Sequence, residues 1–357
     1  MKGRVERLAD LLPETGIDVL LITDLVNTRY VTGYDGSNGI ALIGTRTRAF
    51  ATDFRYVEQA AAQVHPSFAR VRASLDLLEA VTDLLPAGEV RLGFDDAHMP
   101  VRQHARLREL LPGRVELVPA GGLVERVRAV KDDEEVKRIR VAAQLADASF
   151  ERIIRDGLVG RTEREVAIAL EHDMRARGAR RPSFDSIVAA GPHGALPHAQ
   201  PRDVPIRSGE LVVIDLGAEL DGYCSDCTRT VAAGEPGEEA RAVYELVLSA
   251  QQAGLKDVRA GRAGRDVDAV ARAVIEAGGH GERFGHGLGH GVGLEVHEGP
   301  RLSQRSDDTL VAGNVVTVEP GVYVPGRFGV RIEDLVLVAE NGPDVLNGLS
   351  KRLLTTD

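Results

Sequence analysis

The first third of the chain alternates short apolar runs with polar, glycine-rich turns. Residues 19–22, 40–43 and 49–52 are apolar runs of strand length. They predict three β-strands, because short apolar segments bounded by turn residues are typical of buried strands. Asp53 can cap a following helix, and another helix is predicted after Pro100. This half therefore reads as an α/β unit, and its acids and histidines form no tight cluster in the sequence.

The pattern changes to long helices near residue 125. The charged segment 126–137 leads into a helical pattern that opens with acidic residues and runs to about Arg155. Acidic side chains in a first turn interact favourably with the helix dipole. We predict two domains, residues 1–125 and residues 126–357, since 357 residues suffice for two hydrophobic cores.

The second half repeats one pattern. Helical segments begin near Gly160 and Gly264, and each is followed by apolar strand runs that end in a carboxylate. Asp215 follows Gly160 by 55 residues, and Glu319 follows Gly264 by 55 residues. Equal spacing indicates two copies of one helix-and-hairpin unit, with these two carboxylates in equivalent positions.

A second carboxylate follows on each return strand. If the hairpin after Asp215 turns near Leu220, then Asp226 lies almost opposite Asp215, with their Cβ atoms about 5 Å apart. Such a pair repels unless a cation or a shared proton intervenes. In the other copy, alternation along residues 329–338 places Glu333 on an apolar strand face, where an acid needs a partner. Taken singly, exposed strand acids are also common.

A glycine-rich stretch, residues 284–298, lies between these carboxylates and contains three histidines and five glycines. It has no G-x-G-x-x-G spacing and no P-loop lysine, so phosphate binding is disfavoured. A plain glycine-rich turn with solvated histidines is the other reading, and the neighbouring carboxylates argue against it. Glycines without side-chain bulk would let His290 approach those carboxylates closely.

Four carboxylates and one histidine can together hold two divalent metal ions about 3.5–4 Å apart. The oxygen-rich set favours Mn²⁺, while the imidazole also suits Zn²⁺ or Co²⁺.

Composition narrows the partners and the location. A formal net charge of −10 disfavours nucleic acid and anionic membranes, because both require a basic face. Hydrophobic residues at 43% and charged residues at 27% are the balance of a globular protein, without a membrane-length apolar run. The first residues lack a signal-peptide pattern, so we expect a cytoplasmic protein. Cys224 and Cys227 are expected to be buried, reduced thiols.

The proposed ligand set resembles that of the pita-bread metallopeptidases, and within them the Xaa-Pro peptidases, prolidase and aminopeptidase P: Asp215, Asp226, His290, Glu319 and Glu333. Residues 30–33 and 52–56 are similar, less specifically, to the creatinase-like N-terminal domain of that group. The resemblance covers the whole chain. It implies a two-domain α/β protein, with a creatinase-like α/β N-terminal domain and a pseudo-twofold, α+β pita-bread catalytic domain.

The resemblance also implies a role for each ligand. Asp215 would bind one metal, His290 and Glu319 the other, and Asp226 and Glu333 would bridge both. The implied nucleophile is a hydroxide that bridges the metals, with Glu319 as its proton acceptor.

Other side chains follow from the same resemblance. His297 would stabilise the tetrahedral intermediate, and His198 would be the second histidine that contacts substrate. Arg331 would either contact substrate or pair with a glutamate. The neighbouring side chains expected to support the site are His286, His193 and Tyr223.

The implied activity is cleavage of the Xaa-Pro bond in dipeptides, as by prolidase, or in longer peptides, as by aminopeptidase P. Methionine aminopeptidase shares the ligands but not the long N-terminal half. A creatinase-like amidinohydrolase shares the fold without metals, and a non-catalytic binding protein on the same scaffold is the alternative of a different class. Members of the family are commonly homodimers, so a homodimer is expected.

Overall fold

A computed structural model describes residues 3–357. The chain divides into two compact units, with the boundary between Arg128 and Ala129. Among the described residues, no helix is both long enough and apolar enough to cross a membrane.

The first unit is a mixed six-stranded sheet with short helices. The strands, in the sheet order β4-β3-β2-β1-β5-β6, are β1 (Val19–Ile22), β2 (Ile40–Gly44), β3 (Arg48–Thr52), β4 (Ala69–Arg72), β5 (Val90–Phe94) and β6 (Val115–Pro119). The helices are α1 (Arg4–Leu11), α2 (Leu25–Thr32), α3 (Val57–Gln63), α4 (Val81–Leu84), α5 (Val101–Leu110) and α6 (Leu123–Ala129). The three strands predicted from apolar runs are present, and all four residues of β1 are buried.

The second unit opens with a helix pair and an antiparallel sheet. The helices are α7 (Asp133–Arg155) and α8 (Glu163–Ala176). They are followed by β7 (Arg181–Pro182), β8 (Ile187–Ala190), β9 (Glu210–Leu216), β10 (Ala218–Leu220), β11 (Tyr223–Cys224) and β12 (Cys227–Ala233). The start of α7 has a capping box formed by Asp132 and Glu135, which explains why the acidic run begins this helix.

A second helix pair and a second sheet follow. The helices are α9 (Glu238–Asp257) and α10 (Gly264–Ala277). The strands are β13 (Gly289–Gly291), β14 (Glu298–Leu302), β15 (Val315–Val318), β16 (Gly321–Val324), β17 (Phe328–Arg331), β18 (Asp334–Ala339) and β19 (Gly342–Val345). The last strand, β20 (Thr355–Thr356), pairs in parallel with β12 of the first sheet.

The two halves of this unit have the same architecture. The strand order β8-β9-β12 in one sheet corresponds to β13-β15-β18 in the other, and a hairpin joins the last two strands of each set, β10-β11 in the first and β16-β17 in the second. The predicted repeat of a helix-and-hairpin unit is therefore present, as a pseudo-twofold fold requires.

Two sequence expectations about register were wrong. Asp215 pairs with Thr228 rather than lying opposite Asp226, because the turn is centred on Asp221 and Gly222. Both turn residues have positive φ, 51° and 84°, which is the geometry of a two-residue hairpin turn. The turn is centred one residue later than expected, so the residue opposite Asp215 lies two positions later in the chain, at Thr228 instead of Asp226.

The predicted continuous strand over residues 329–338 is also interrupted. β17 ends at Arg331 and pairs with β16, whereas β18 begins at Asp334 and pairs with β15. Glu333 lies in the gap where the chain passes from one sheet to the other. Asp226 lies in the corresponding gap between β11 and β12, so two predicted ligands occupy equivalent interruptions.

Candidate metal centre

The side chains predicted to act together line one cavity of the second unit. Its volume is about 470 Å³. The predicted residues among its lining are Asp215, Asp226, His290, Glu319, Glu333, His198, His297 and Arg331. Residues separated by more than 130 positions in sequence therefore meet at one place.

Three of the predicted ligands form a compact group. One ligand atom from each of Asp226, His290 and Glu333 lies within 4.8 Å of the others, and all three residues are buried. The Nε2 atom of His290 is 3.3 Å from Oε1 of Glu319 and 3.7 Å from Oδ2 of Asp226. The imidazole thus faces carboxylates on two sides.

Two glycines fix the position of His290. A Cβ atom on Gly289 would lie 2.0 Å from the carbonyl oxygen of Thr317, and one on Gly291 would lie 2.1 Å from that of Gly299. Only glycine permits such close contact with neighbouring backbone. The Nδ1 atom of His290 is 3.1 Å from the carbonyl oxygen of Gly291, so Nδ1 carries the proton and Nε2 is left to bind a metal.

Two threonines orient the carboxylates. The hydroxyl of Thr228 donates to Oε2 of Glu333 at 2.7 Å and accepts from Nε of Arg331 at 3.0 Å. The hydroxyl of Thr317 donates to Oε1 of Glu319 at 3.1 Å and accepts from the backbone N–H of His290, also at 3.1 Å. Each half of the unit therefore supplies one hydroxyl that supports a glutamate.

Arg331 pairs with an aspartate rather than with the glutamate that the sequence suggested. Its Nη2 donates to Oδ2 of Asp215 at 2.5 Å, and its Nη1 donates to the hydroxyl of Tyr323 at 2.9 Å. The same Nη1 also donates to the carbonyl oxygen of Pro197 at 3.1 Å. The buried guanidinium thus directs most of its donors at protein atoms.

The electrostatics are those expected of a cation site. Burial, followed by the neighbouring carboxylates, raises the pKa of Asp226 and of Glu333 well above the ordinary values. Burial also raises the pKa of Asp215, although Arg331 opposes the shift. Burial alone would raise the pKa of Glu319, but the adjacent imidazole of His290 and nearby positive charge lower it to about 2.

The donor set fits divalent metal ions. Oδ1 of Asp215 and Oε1 of Glu333 are buried and have no hydrogen-bond partner among residues 3–357. Unpaired buried carboxylate oxygens are costly, and four mutually repelling carboxylates with one imidazole nitrogen match the ligands that divalent metals prefer. The five residues would hold such ions.

Comparison with known proteins agrees with this geometry. Residues 137–340 match Metallopeptidase family M24, and residues 4–130 match the Creatinase/Prolidase N-terminal domain. The chain belongs to metallopeptidase family M24. It is accordingly a metal-dependent peptidase, as the sequence predicted, with a creatinase-like N-terminal domain and a pita-bread catalytic domain.

Similar proteins align over almost the entire chain. The solved structure of an Xaa-Pro dipeptidase from Bacillus anthracis superposes with a TM-score of 0.94 at 41% identity and covers 99% of both chains. That of an X-Pro aminopeptidase from Thermotoga maritima gives a TM-score of 0.90 at 37% identity, covering 99% of this chain and 100% of that one. An uncharacterized peptidase of Bacillus subtilis is 43% identical over 352 residues, which are 98% of this chain and 99% of its own.

Two exposed histidines line the cavity of this M24 site. The ring of His297 packs against that of His290 with 4.3 Å between centroids. Partial desolvation of the ring and then the nearby positive groups lower the pKa of His297 to about 4, so its imidazole is neutral at neutral pH. His198 is exposed at the cavity, and its imidazole has no hydrogen bond to the described residues.

The expected supporting residues are only partly at the site. His286 lines the cavity, and its Nε2 is 2.9 Å from the hydroxyl of Tyr323. Tyr223 instead donates to Oε1 of Glu135 at 3.0 Å, and His193 contacts Glu163 at 2.9 Å. Neither of these two lines the cavity. Cys224 and Cys227 are free, buried thiols, as expected.

Several cavity residues were not predicted from the sequence. They are Phe184, Asp185, Ile187, Gln200, Arg301 and Ser303. Arg301 lies on β14 four residues after His297, and this proximity to a predicted residue was the available signal. No spacing pattern singled out the segment 184–187.

The fold of the first unit brings together two acids and a histidine that form no tight cluster in the sequence. Ligand atoms of Asp95, His98 and Glu125 lie within 4.8 Å of one another. The amide nitrogen of Asn27 already donates to Asp95 at 3.3 Å and to Glu125 at 2.6 Å. The amide of Asn27 and the imidazole of His98 thus stabilise these carboxylates. Asn27 and Glu125 are 98 residues apart in sequence, so their contact could not be predicted from it.

Proposed function

We propose that the chain is an exopeptidase that cleaves the Xaa-Pro bond at the N-terminus of short peptides and uses two divalent metal ions, with Mn²⁺ favoured by the oxygen-rich ligands. The observation that carries the proposal is the convergence of five ligand side chains, two of them with unpartnered oxygens, in one cavity. The names of the Bacillus anthracis and Thermotoga maritima relatives support the Xaa-Pro specificity.

The roles of the ligands are those that the resemblance to the family implies. Asp215 would hold one ion, His290 and Glu319 the other, and Asp226 and Glu333 both. When bound, the ions lower the pKa of a shared water molecule, which supplies the nucleophile, and polarise the scissile carbonyl.

Three side chains would then handle protons and charge. Glu319 is ionised over the physiological range because His290 lowers its pKa, so it can accept a proton from water. His297 is neutral, so it can donate an N–H hydrogen bond to the oxygen on which negative charge develops. His198, exposed at the cavity, would contact the substrate.

Arg301 favours a dipeptidase over an aminopeptidase that accepts longer chains. A dipeptidase needs a cation for the carboxylate that ends its substrate. Arg301 lines the cavity, whereas the other cavity arginine, Arg331, already pairs with Asp215. Arg301 would therefore bind the proline carboxylate.

The test is hydrolysis of Ala-Pro, Ala-Pro-Ala and Ala-Ala by protein stripped of metal and then supplied with Mn²⁺, Zn²⁺ or Co²⁺. Metal-dependent cleavage of Ala-Pro, without cleavage of Ala-Ala, is expected, and Arg301→Gln should raise the KM for Ala-Pro. Preferential cleavage of Ala-Pro-Ala would indicate an aminopeptidase P. Cleavage of neither proline peptide would contradict the proposal.

Two expectations from the sequence stay predictions. A homodimer is tested by light scattering of the full chain, and a cytoplasmic location is tested by cell fractionation.

A further inference from the structure

A buried carboxylate outside the cavity, that of Glu163, contacts the segment that presents His198. Glu163 is the first residue of α8 and is 1% exposed. It is not among the residues that line the cavity. Burying an ionised carboxylate is costly unless several donors bind it, so its contacts call for an explanation.

Glu163 is not required to cap its helix. The capping box of α8 is complete without it, because the side chain of Thr162 accepts from the backbone N–H of Glu165, and the carboxylate of Glu165 accepts from that of Thr162. Glu163 therefore directs its carboxylate elsewhere.

Its carboxylate binds both ends of one loop. We define the His198 loop as residues 191–201. The residue before this loop, Ala190, donates its backbone N–H to Oε1 of Glu163 at 2.9 Å. The residue after it, Arg202, donates its backbone N–H to Oε2 at 3.0 Å. One side chain thus closes the base of an eleven-residue loop.

Two side chains strengthen this closure. Nδ1 of His193, inside the loop, is 2.9 Å from Oε2 of Glu163. The guanidinium of Arg202 donates from Nε and Nη2 to the two carboxylate oxygens, each at 3.1 Å. Burial alone would raise the pKa of Glu163, but these donors outweigh it and lower the pKa, so the carboxylate stays charged.

The far side of the loop contacts the strands that carry the ligands. The carbonyl oxygen of Pro197 accepts from Nη1 of Arg331 at 3.1 Å. Gly194 packs closely on Gly329, because a Cβ added to Gly329 would overlap the carbonyl oxygen of Gly194. The imidazole of His198 has no hydrogen bond to the described residues, so its position depends on how well the loop backbone is held. A loop of this length has many conformations unless its ends are fixed.

We propose that Glu163 is a positioning residue of the peptidase: it closes the base of the His198 loop and thereby holds the His198 imidazole at the cavity. The proposal rests on the substrate-binding role proposed for His198. Glu163→Gln keeps the size of the side chain but replaces one accepting oxygen with an amide N–H₂ group. This group cannot accept from the N–H donors at the ends of the loop, so the base of the loop opens.

The matched control is Glu165→Gln. It removes one negative charge from the same helical turn but leaves the loop contacts intact. Glu163→Gln is expected to lower kcat/KM for Ala-Pro roughly 10- to 100-fold, the effect of a misplaced substrate-contacting group, with unchanged Mn²⁺ content. Glu165→Gln is expected to change it less than about twofold, because it contacts neither loop nor cavity.

A double-mutant cycle with His198→Ala separates positioning from general destabilisation. If Glu163 acts through His198, then Glu163→Gln has little further effect on kcat/KM in the His198→Ala background. The proposal would be overturned if the losses of kcat/KM from Glu163→Gln and His198→Ala multiplied fully in the double variant. It would also be overturned if Glu163→Gln and Glu165→Gln lowered kcat/KM equally.

Amide hydrogen exchange of residues 191–201 gives a readout independent of activity. Exchange should accelerate in Glu163→Gln and not in Glu165→Gln. If the wild-type protein cleaves no Xaa-Pro peptide, the proposed function fails, and unchanged loop exchange would separately overturn the positioning role. Should Glu163→Gln fail to fold, Arg202→Gln, which weakens the same closure from a half-exposed position, is expected to show both effects in smaller degree.

Discussion

The position of His290 is set by its neighbours in sequence. Gly289 and Gly291 let the backbone of β13 contact neighbouring backbone, and His290 accordingly reaches the carboxylates of Asp226 and Glu319. The glycine-rich stretch was interpreted correctly as a device for close approach. Gly289 and Gly291 permit this approach because they have no side chain, and not because of an unusual backbone conformation, since neither has a positive φ.

Gly289→Ala should abolish metal-dependent activity and lower the thermal midpoint. The added methyl group would overlap the carbonyl oxygen of Thr317, and backbone cannot move aside cheaply; overpacking of this kind costs about 1–3 kcal/mol. The matched control is Gly285→Ala, since no atom lies within 4 Å of its added Cβ. Equal activity loss in both variants, measured with Ala-Pro, would contradict this explanation.

Thr228→Val should weaken metal binding without unfolding the protein. The hydroxyl of Thr228 holds Oε2 of Glu333 at 2.7 Å, and loss of such a supporting contact typically costs 10- to 100-fold in metal affinity, so a loss of about that size is expected. Thr230→Val is the control, because its hydroxyl bonds only backbone of Arg331. Calorimetric titration of the stripped proteins with Mn²⁺ compares them, and equal affinities would refute the role of Thr228.

At the scale of elements, the interruptions between strands place the two carboxylates expected to bridge. Asp226 and Glu333 each follow the end of a hairpin strand and precede a strand of a larger sheet. The sequence predicted their types and approximate places. It did not predict the interruptions, because residues typical of strands lie on both sides of each one and the change of partner strand depends on contacts distant in sequence.

The pairing of α7 with α8 should depend on pH through Asp173. Burial alone would raise the pKa of Asp173, but Arg177 and Arg152 together lower it. A lowered folded-state pKa means that this stabilisation is present above the unfolded-state value, near pH 4, and is lost as pH falls through the folded-state value.

Asp173→Asn should therefore lower the thermal midpoint at pH 7, and the difference from wild type should shrink toward pH 3. Both arginines are more than a third exposed, so the effect should also weaken with added salt. Thermal melts at several pH values check the sign, and a difference that grows on acidification would contradict it.

At the scale of the whole chain, Arg229 links the catalytic strands to the C-terminal segment. Its guanidinium is 2% exposed and donates to Asp334 at 2.8 Å, to the carbonyl of Leu349 at 3.0 Å and to that of Ser350 at 3.1 Å. Sequence patterns did not reveal this residue, because an arginine on a strand is ordinarily expected to be exposed.

Arg229→Met should destabilise the protein by about 3–5 kcal/mol, since it leaves the buried carboxylate of Asp334 short of a partner. Arg241→Gln, at an exposed pair with Glu235, should change stability by less than about 0.5 kcal/mol. Urea denaturation of the metal-loaded proteins measures both. A loss below about 1 kcal/mol for Arg229→Met would show that Lys351 and Gln251 suffice to stabilise Asp334.

The sequence was most informative where chemistry constrains residue type. The ligand types, the repeat and the family followed from it, whereas the approach of Arg301 to the cavity depends on tertiary contacts. The binding of metal by the five residues and the domain boundary near 125 stay predictions.

The most direct test of the account is to titrate metal-stripped protein with Mn²⁺ while counting bound ions and following Ala-Pro hydrolysis. We predict that activity reaches its maximum with two ions per chain, and that Asp226→Asn, which removes a carboxylate expected to bind both ions, loses the second ion and the activity together. Hydrolysis by the metal-free protein, or full activity in Asp226→Asn, would contradict the account.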